Sequence, residues 1–463
     1  MNQTAAGYYT DKFATLPTEV TPVETAHRRI TTPIPAPETL DALAASRELF
    51  PRVNQYQPPI VWDRAEGFQV FDAAGNCWID FSSTAVMTNT GHGHPAIREA
   101  VARHAAEGLL AQFTFPSQQR VDLARKILDL SPSGFEKVYF WTAGSEAVEC
   151  ALRLVREFGR RQDGGKDHVL THAGDYHGWT LGATQLSGRV PGAGWLSSPD
   201  QRIHHLPFPG LPDHDGLEDP VAFFDESIAR LAGQGVTGDS VAAVFLETFQ
   251  GWGGLAFPTS YIQRLREWAD AHDVLLVFDE IQTGFGRTGR WFGHEHYDVT
   301  ADLVCVGKGL TSSLPLAAVL GRAEVMDLLE PAEITTTHAG HPVSCAAALA
   351  NLEVIERENL VAEADRKGEL VAGELARLQA RFPDRIERVS GRGLMWALHV
   401  CNPQTRKPDH ELTADWTWAA VCRGVMLFHT MLSTVKVVPP LVITDEALVE
   451  GIGVLGEAME SLC

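Results

Sequence analysis

No apolar run in the 463-residue sequence approaches the roughly 20 residues that a membrane-spanning helix needs, so the chain is expected to be soluble. Its opening, MNQTAAGYYTDKFATLPTEV, lacks the charged segment and apolar stretch of a secretory signal. Positive charge is scarce. With 38 Lys and Arg against 59 Asp and Glu the formal net charge is -21, which argues against a general affinity for nucleic acid or an anionic membrane surface. The seven cysteines (Cys77, Cys150, Cys305, Cys345, Cys401, Cys422 and Cys463) form no CxxC pair. Cys305 and Cys345 lie in apolar runs and read as reduced, buried thiols, so a cytosolic (cytoplasmic) setting is expected. The pairs His92/His94, His294/His296 and His338/His341 have no carboxylate or cysteine to complete a convincing ligand set, and no metal site is expected. Repeats and low-complexity tracts are also missing. What remains is the composition of a globular enzyme, 44% hydrophobic and 21% charged, long enough for two or three structural units.

Residues 1 to about 60 are polar and proline-rich (TTPIPAPETL, YQPPIVWD) and read as an arm with little core of its own. Residues 66–81, EGFQVFDAAGNCWIDF, alternate apolar and polar around Ala74-Gly75-Asn76, a hairpin signal. From about residue 95, amphipathic helices alternate with short buried strands: KVYFW (137–141), HVLTH (168–172), VAAVFLE (241–247), VLLVFDE (274–280), LVCVGK (303–308) and LAAVL (316–320). That rhythm predicts an α/β fold, a mostly parallel sheet with helices on both faces, whose ligands gather at the carboxyl ends of the strands. After about residue 340 a long helical pattern and strand-like pieces predict a smaller α+β unit. The expected division is 1–94 (arm and part of a small domain), 95–339 (large domain) and 340–463 (C-terminal small domain).

The stretch VLLVFDEIQTGFGRTG, residues 274–289, spells GxGxxG after a strand, the fingerprint of a dinucleotide turn. Its position is wrong for that role. A dinucleotide glycine turns directly off the strand, and an acid follows at the end of the next strand; here Asp279-Glu280-Ile281-Gln282 intervene and the next strand ends in Lys308. The strand instead delivers Asp279 to the sheet edge, where Lys308 also arrives. A lysine amine and a carboxylate on neighbouring strand ends suit pyridoxal 5'-phosphate (PLP), whose aldehyde forms a Schiff base with lysine while an acid keeps the pyridine nitrogen protonated. Taken alone, the pair also reads as a salt bridge. In KVYFWTAGSEAVECALRLVREFGR, strand, turn and helix follow one another, with Val148, Ala151, Leu152 and Val155 on one apolar face. The helix starts near Gly144-Ser145, where free NH groups favour a phosphate, although a plain cap is the simpler reading of that piece alone.

Seven motifs in order, GHGHP (91–95), TAGSEAVE (142–149), DYHGWT (175–180), FDEIQTGFGRTG (278–289), GKGL (307–310), THAGHP (337–342) and PPLVIT (439–444), give a resemblance over residues 62 to 445. The chain resembles the class III PLP-dependent aminotransferases, the family that includes 4-aminobutyrate, ornithine and ω-amine aminotransferases. The resemblance implies the PLP-dependent aminotransferase fold (fold type I), with a seven-stranded, mostly parallel sheet in the large domain. It implies that Lys308 forms the Schiff base and shuttles a proton, that Asp279 pairs with the pyridine nitrogen, and that Gln282 lies near the ring's phenolic oxygen. Tyr176 takes the ring-stacking position, with His177 beside it among the cofactor-binding residues. Gly144 and Ser145 contact the phosphate. Thr337 matches a threonine that reaches the phosphate from the other subunit, which implies a homodimer.

Two departures bear on substrate. Trp179 stands where relatives acting on 4-aminobutyrate carry an arginine for the distal carboxylate, a task an indole cannot perform. Lys436 aligns with the arginine that binds the α-carboxylate, and Glu247 with a glutamate that neutralises it; lysine offers charge without the bidentate fork. Ala143 and Gly307 are small changes beside the cofactor. The chain also resembles class III amino-acid racemases, which share these cofactor contacts and differ in needing an acid on the opposite face of the α-carbon. A non-catalytic scaffold on the same fold is the remaining alternative. Amine or amino-acid donors and oxo-acid or aldehyde acceptors are the expected substrates.

Overall fold

Seven short strands build the central sheet of the larger structural unit: β1 (Lys137–Trp141), β2 (His168–His172), β3 (Ile203–Leu206), β4 (Val241–Glu247), β5 (Leu275–Asp279), β6 (Leu303–Val306) and β7 (Ala317–Gly321). The structure is a computed structural model that describes residue 13 and residues 16–54, 56–162, 164–188, 193–210 and 217–463. The spatial order is β3-β2-β4-β5-β6-β7-β1. Only β7 runs antiparallel to its neighbours, β6 and β1. The other pairings are parallel. Every residue of β4, β5 and β6 is buried, as continuous apolar runs covered on both faces require.

The mostly parallel, seven-stranded sheet is the one expected. Its edge strand β3, Ile-His-His-Leu, has no counterpart among the runs read from sequence. Only Leu206 of it is buried, so the hydrophobic signal is weak where the strand has one neighbour.

Helices α1 (Gln118–Leu130), α2 (Gly144–Arg161) and α3 (Pro342–Arg357) belong to this unit. In α2, Val148, Ala151, Leu154 and Val155 are buried and pack with Val169, Ala243, Phe245, Val277 and Val319 of the sheet. Leu152, expected on this face, is partly buried and packs against the same cluster.

The larger unit comprises Pro95–Gly251 and Leu255–Val361; the smaller comprises the described residues through His94, Trp252–Gly254 and Ala362–Cys463. Helix α3 thus groups with the large sheet, although the sequence pattern placed everything after residue 340 in the closing unit. Its small residues explain this: Ala346, Ala347, Ala348 and Ala350 are all buried, making α3 a core helix rather than a half-exposed one. The smaller unit holds a four-stranded antiparallel sheet of Ile386–Arg392, Met395–Val400, Thr434–Val437 and His429–Thr430. The expected hairpin appears as Gln69–Phe71 paired with Cys77–Asp80. The N-terminal lead-in is less coreless than its composition implies. Ile30 and Ile34 are fully buried against Val70, Trp78 and Val421, and Arg29 pairs with Cys77 in a sheet.

Candidate active site

The carboxyl edge of the sheet brings the predicted groups together. Glu247 and Asp279 end β4 and β5 and are direct register partners. Beyond β6, the chain passes through Gly307 into a single tight turn, Lys308–Leu310. Lys308 itself has φ +42°, a left-handed conformation that costs an L-residue of order 1–3 kcal/mol and marks a site where the surroundings dictate the backbone. A cavity of about 210 Å³ is lined by Lys308, Asp279, Glu247, Gln282, Ile281, Tyr176, His177, Gly178, Gly144 and Ser145. Of these, only Gly178 and Ile281 were not singled out from the sequence.

Asp279 is buried and held at both oxygens. Oδ1 accepts the Ile281 NH at 3.0 Å, and Oδ2 lies 2.8 Å from His177 Nδ1. The His177 backbone NH donates to Ser187 Oγ at 2.8 Å, and its Nε2 faces Thr171 Oγ1 at 3.5 Å and Asp175 Oδ2 at 3.8 Å. His177 therefore orients the carboxylate from behind. Glu247 is equally committed: Oε2 accepts the Tyr176 NH at 2.8 Å and Oε1 the Gly251 NH at 3.0 Å. Asp175 Oδ2 accepts the Glu247 NH at 3.1 Å. Asp175 had not been expected, because an aspartate in AGDY reads as an ordinary turn residue.

Three buried carboxylates and one amine must share charge in this space. Burial, reinforced by the negative charge of Asp279, pushes Glu247 up to about 8. Burial and then Glu247 push Asp175 well above the carboxylate range. Burial lowers Lys308 below an ordinary lysine, with Asp279 and Glu247 opposing the shift. The amine is thereby biased toward its nucleophilic, neutral form.

A pH experiment follows for Glu247. Its folded pKa lies above the unfolded one, so its contribution to stability is complete below pH 4.5 and is lost as pH rises to about 8. Glu247→Gln is expected to flatten the decline in melting temperature of the cofactor-free protein between pH 5 and 8. Parallel wild-type and variant profiles would contradict the assignment.

At the other end of the cavity, α2 starts at Gly144 behind Ala143, whose methyl group cannot accept a hydrogen bond. Glu146 Oε2 reaches back to the NH groups of Thr142 and Ala143, at 3.0 and 3.1 Å, leaving the first-turn NH groups without a side-chain cap. Gly178 presses on Ser145: with φ +128°, a Cβ there would lie 2.0 Å from Ser145 Oγ. The Tyr176 and Trp179 rings meet edge to face at 5.6 Å, and Trp179 is 55% exposed.

Three expected residues, Trp179, Thr337 and Lys436, do not line this cavity. Thr337 is exposed and does not line it. Lys436 lies fully buried on the Thr434–Val437 strand of the smaller unit.

The donor set suits PLP: a desolvated lysine, a buried carboxylate with an imidazole behind it, an aromatic ring and an uncapped helix start. Residues 51–459 match the family model for class III aminotransferases, and the chain belongs to that family. It is 33% identical over 426 residues to an alanine/serine racemase of Pyrococcus horikoshii, covering 87% of this chain and 86% of that one. It is 32% identical over 443 residues to the 4-aminobutyrate aminotransferase of Mycobacterium leprae, covering 93% and 98%. Its fold is similar to that of an amine transaminase from an uncultivated Pseudomonas species solved in a PLP-bound form, with a TM-score of 0.78, 29% identity, and 86% and 93% coverage. The protein is a PLP-dependent transaminase of class III with the fold expected of it.

Proposed function

We propose that this transaminase works through Lys308, with Asp279 as its electrostatic partner, in a homodimer. The observation that carries the reading is that Lys308, Asp279 and the start of α2 at Gly144-Ser145 all line one cavity. Bound PLP supplies an aldehyde for the amine and an electron-withdrawing ring. The Lys308 amine, its pKa lowered by burial, would hold that aldehyde and would be the group that moves a proton at the substrate carbon. Asp279, aligned by His177, would keep the pyridine nitrogen protonated. Tyr176 and Gln282 line the same cavity and would hold the ring, the first through its aromatic face and the second through its amide. Gly144, Ser145 and the α2 NH groups would hold the phosphate. Gly178→Ala is expected to weaken PLP binding at least about tenfold, since a strained φ of this kind costs roughly 1–3 kcal/mol and Ser145 must shift; equilibrium dialysis showing wild-type affinity would remove Ser145 from the phosphate site.

Thr337 is assigned to the phosphate of the partner subunit. Its exposure supports this, as do the neighbouring exposed apolar residues Leu110 and Phe113, and Phe115 at 72% exposed. A cytoplasmic location is supported by seven free cysteines, six of them buried. Among the described residues no helix is long and apolar enough to cross a membrane.

Substrates are proposed to be amines or amino acids without a distal carboxylate, with oxo acids or aldehydes as acceptors. Trp179, beside Tyr176, offers an apolar surface to such a side chain. Trp179→Arg is expected to shift the ratio of kcat/KM for 4-aminobutyrate over an aryl-alkyl amine upward by one to two orders of magnitude; an unchanged ratio would show that Trp179 does not touch substrate. A donor added without acceptor should bleach the cofactor's visible band. A band that persists while the α-hydrogen exchanges with deuterium and the stereocentre inverts would replace transamination by racemisation.

A further inference from the structure

Arg120 lies in the first turn of α1, its backbone NH held by the Ser117 cap at 3.4 Å. Its guanidinium binds four backbone carbonyls on two segments far apart in sequence. Nε donates to Gly340 O at 3.0 Å and Nη2 to Ala339 O; Nη1 donates to Phe115 O at 3.2 Å and Nη2 also to Phe113 O. A planar fork of five N–H groups can satisfy this pattern, and an ammonium cannot. The turn is shaped around it. Gly340 has φ +57°, and a Cβ there would lie 2.6 Å from Arg120 Nε, so any other residue would both strain the turn and evict the guanidinium. Phe113 is likewise left-handed, at φ +51°. Within the turn the Ala339 NH donates to Thr336 O at 3.1 Å, which leaves Thr337 exposed at its crest.

We propose that Arg120 is a positioning residue for Thr337. By tying the 336–340 turn to the 113–115 loop, it holds the Thr337 hydroxyl where the partner subunit's cofactor phosphate can accept its hydrogen bond. This rests on the assignment of Thr337 to the partner's phosphate. Without the guanidinium, four carbonyls lose their donor, the turn samples other conformations, and the hydroxyl must be ordered at the expense of binding. The effect falls on the phosphate end of the ligand alone, since Arg120 touches none of the residues that line the cavity.

The test resolves holoenzyme of its cofactor and titrates it back with PLP and, separately, with pyridoxal, which has no phosphate. Wild type, Thr337→Ala, Arg120→Ala, Arg120→Lys and the Thr337→Ala/Arg120→Ala double variant are compared. Each single variant is expected to weaken PLP binding about ten- to a hundredfold, the loss of one hydrogen bond to a charged group, and to leave pyridoxal binding within about twofold. The double variant should bind PLP no worse than Thr337→Ala, because both changes remove the same contact. Should Arg120→Ala fail to fold, Arg120→Lys gives the same reading. Equal losses for PLP and pyridoxal would make Arg120 merely structural and overturn the proposal. So would additive losses in the double variant, or a normal PLP affinity in the Arg120 variants beside a weakened Thr337→Ala. Normal PLP affinity in Thr337→Ala would instead sink the Thr337 assignment, and the role of Arg120 with it.

Discussion

Lys308→Ala is expected to lower turnover by at least about 10⁴, the scale of losing a positioned acid–base group, with the loss of the nucleophile added to it. The variant should still bind cofactor, because the contacts proposed for α2, Ser145, Tyr176 and Asp279 do not involve the lysine. The left-handed backbone at residue 308 is no easier for alanine than for lysine, so the fold is expected to survive and the loss to be chemical. Turnover measured beside cofactor stoichiometry separates the two: bound PLP without activity is the predicted pair, and wild-type turnover would end the assignment. Exogenous small amines should restore part of the rate, since the missing group is an amine in a space that can hold one.

Asp279→Asn is expected to leave melting behaviour near wild type and to slow the proton-removal step by about 10²–10³, the range seen when one preorganised electrostatic group is lost from a buried site. An amide matches the carboxylate in shape: its oxygen can still accept the Ile281 NH, and its NH2 can donate to His177 Nδ1 in the tautomer that leaves that nitrogen unprotonated. It cannot hold a proton on a pyridine nitrogen. Substrate-hydrogen isotope effects should rise as that step becomes limiting. An Asn variant with undiminished kcat would show that the carboxylate serves the buried charge network with Glu247 and Asp175 rather than the cofactor.

Much of this architecture is legible in the sequence, for a physical reason. β4, β5 and β6 are buried on both faces and so read as unbroken apolar runs, and the polar residues that end the first two, Glu247 and Asp279, and the Lys308 that follows the third are conspicuous by contrast. The apolar stripe of α2 is equally plain. Edge strand β3 escapes notice because three of its four residues meet solvent in part, and α3 looks like the start of a new unit because helical periodicity cannot say which core a helix fills. Burial is also what hides Ile30 and Ile34 inside a proline-rich stretch: two isolated apolar residues carry no period. The GxGxxG lettering misleads for a related reason. The residue that matters is Asp279 at the strand end, while the neighbouring Glu280 is sealed inside by Thr248 Oγ1 at 2.7 Å and the backbone NH groups of Gly293 and His294 at 2.9 and 2.7 Å. Asp175 and Arg120 are invisible in the sequence because their importance lies in tertiary partners, the Glu247 backbone NH in one case and four carbonyls in the other, and no local spacing announces either.

The central claim is that one lysine carries the cofactor. Holoenzyme reduced with borohydride, digested and mapped by mass spectrometry is predicted to carry the phosphopyridoxyl group on Lys308 in stoichiometric yield. A label on another lysine, or an unlabelled Lys308 in fully loaded protein, would contradict it.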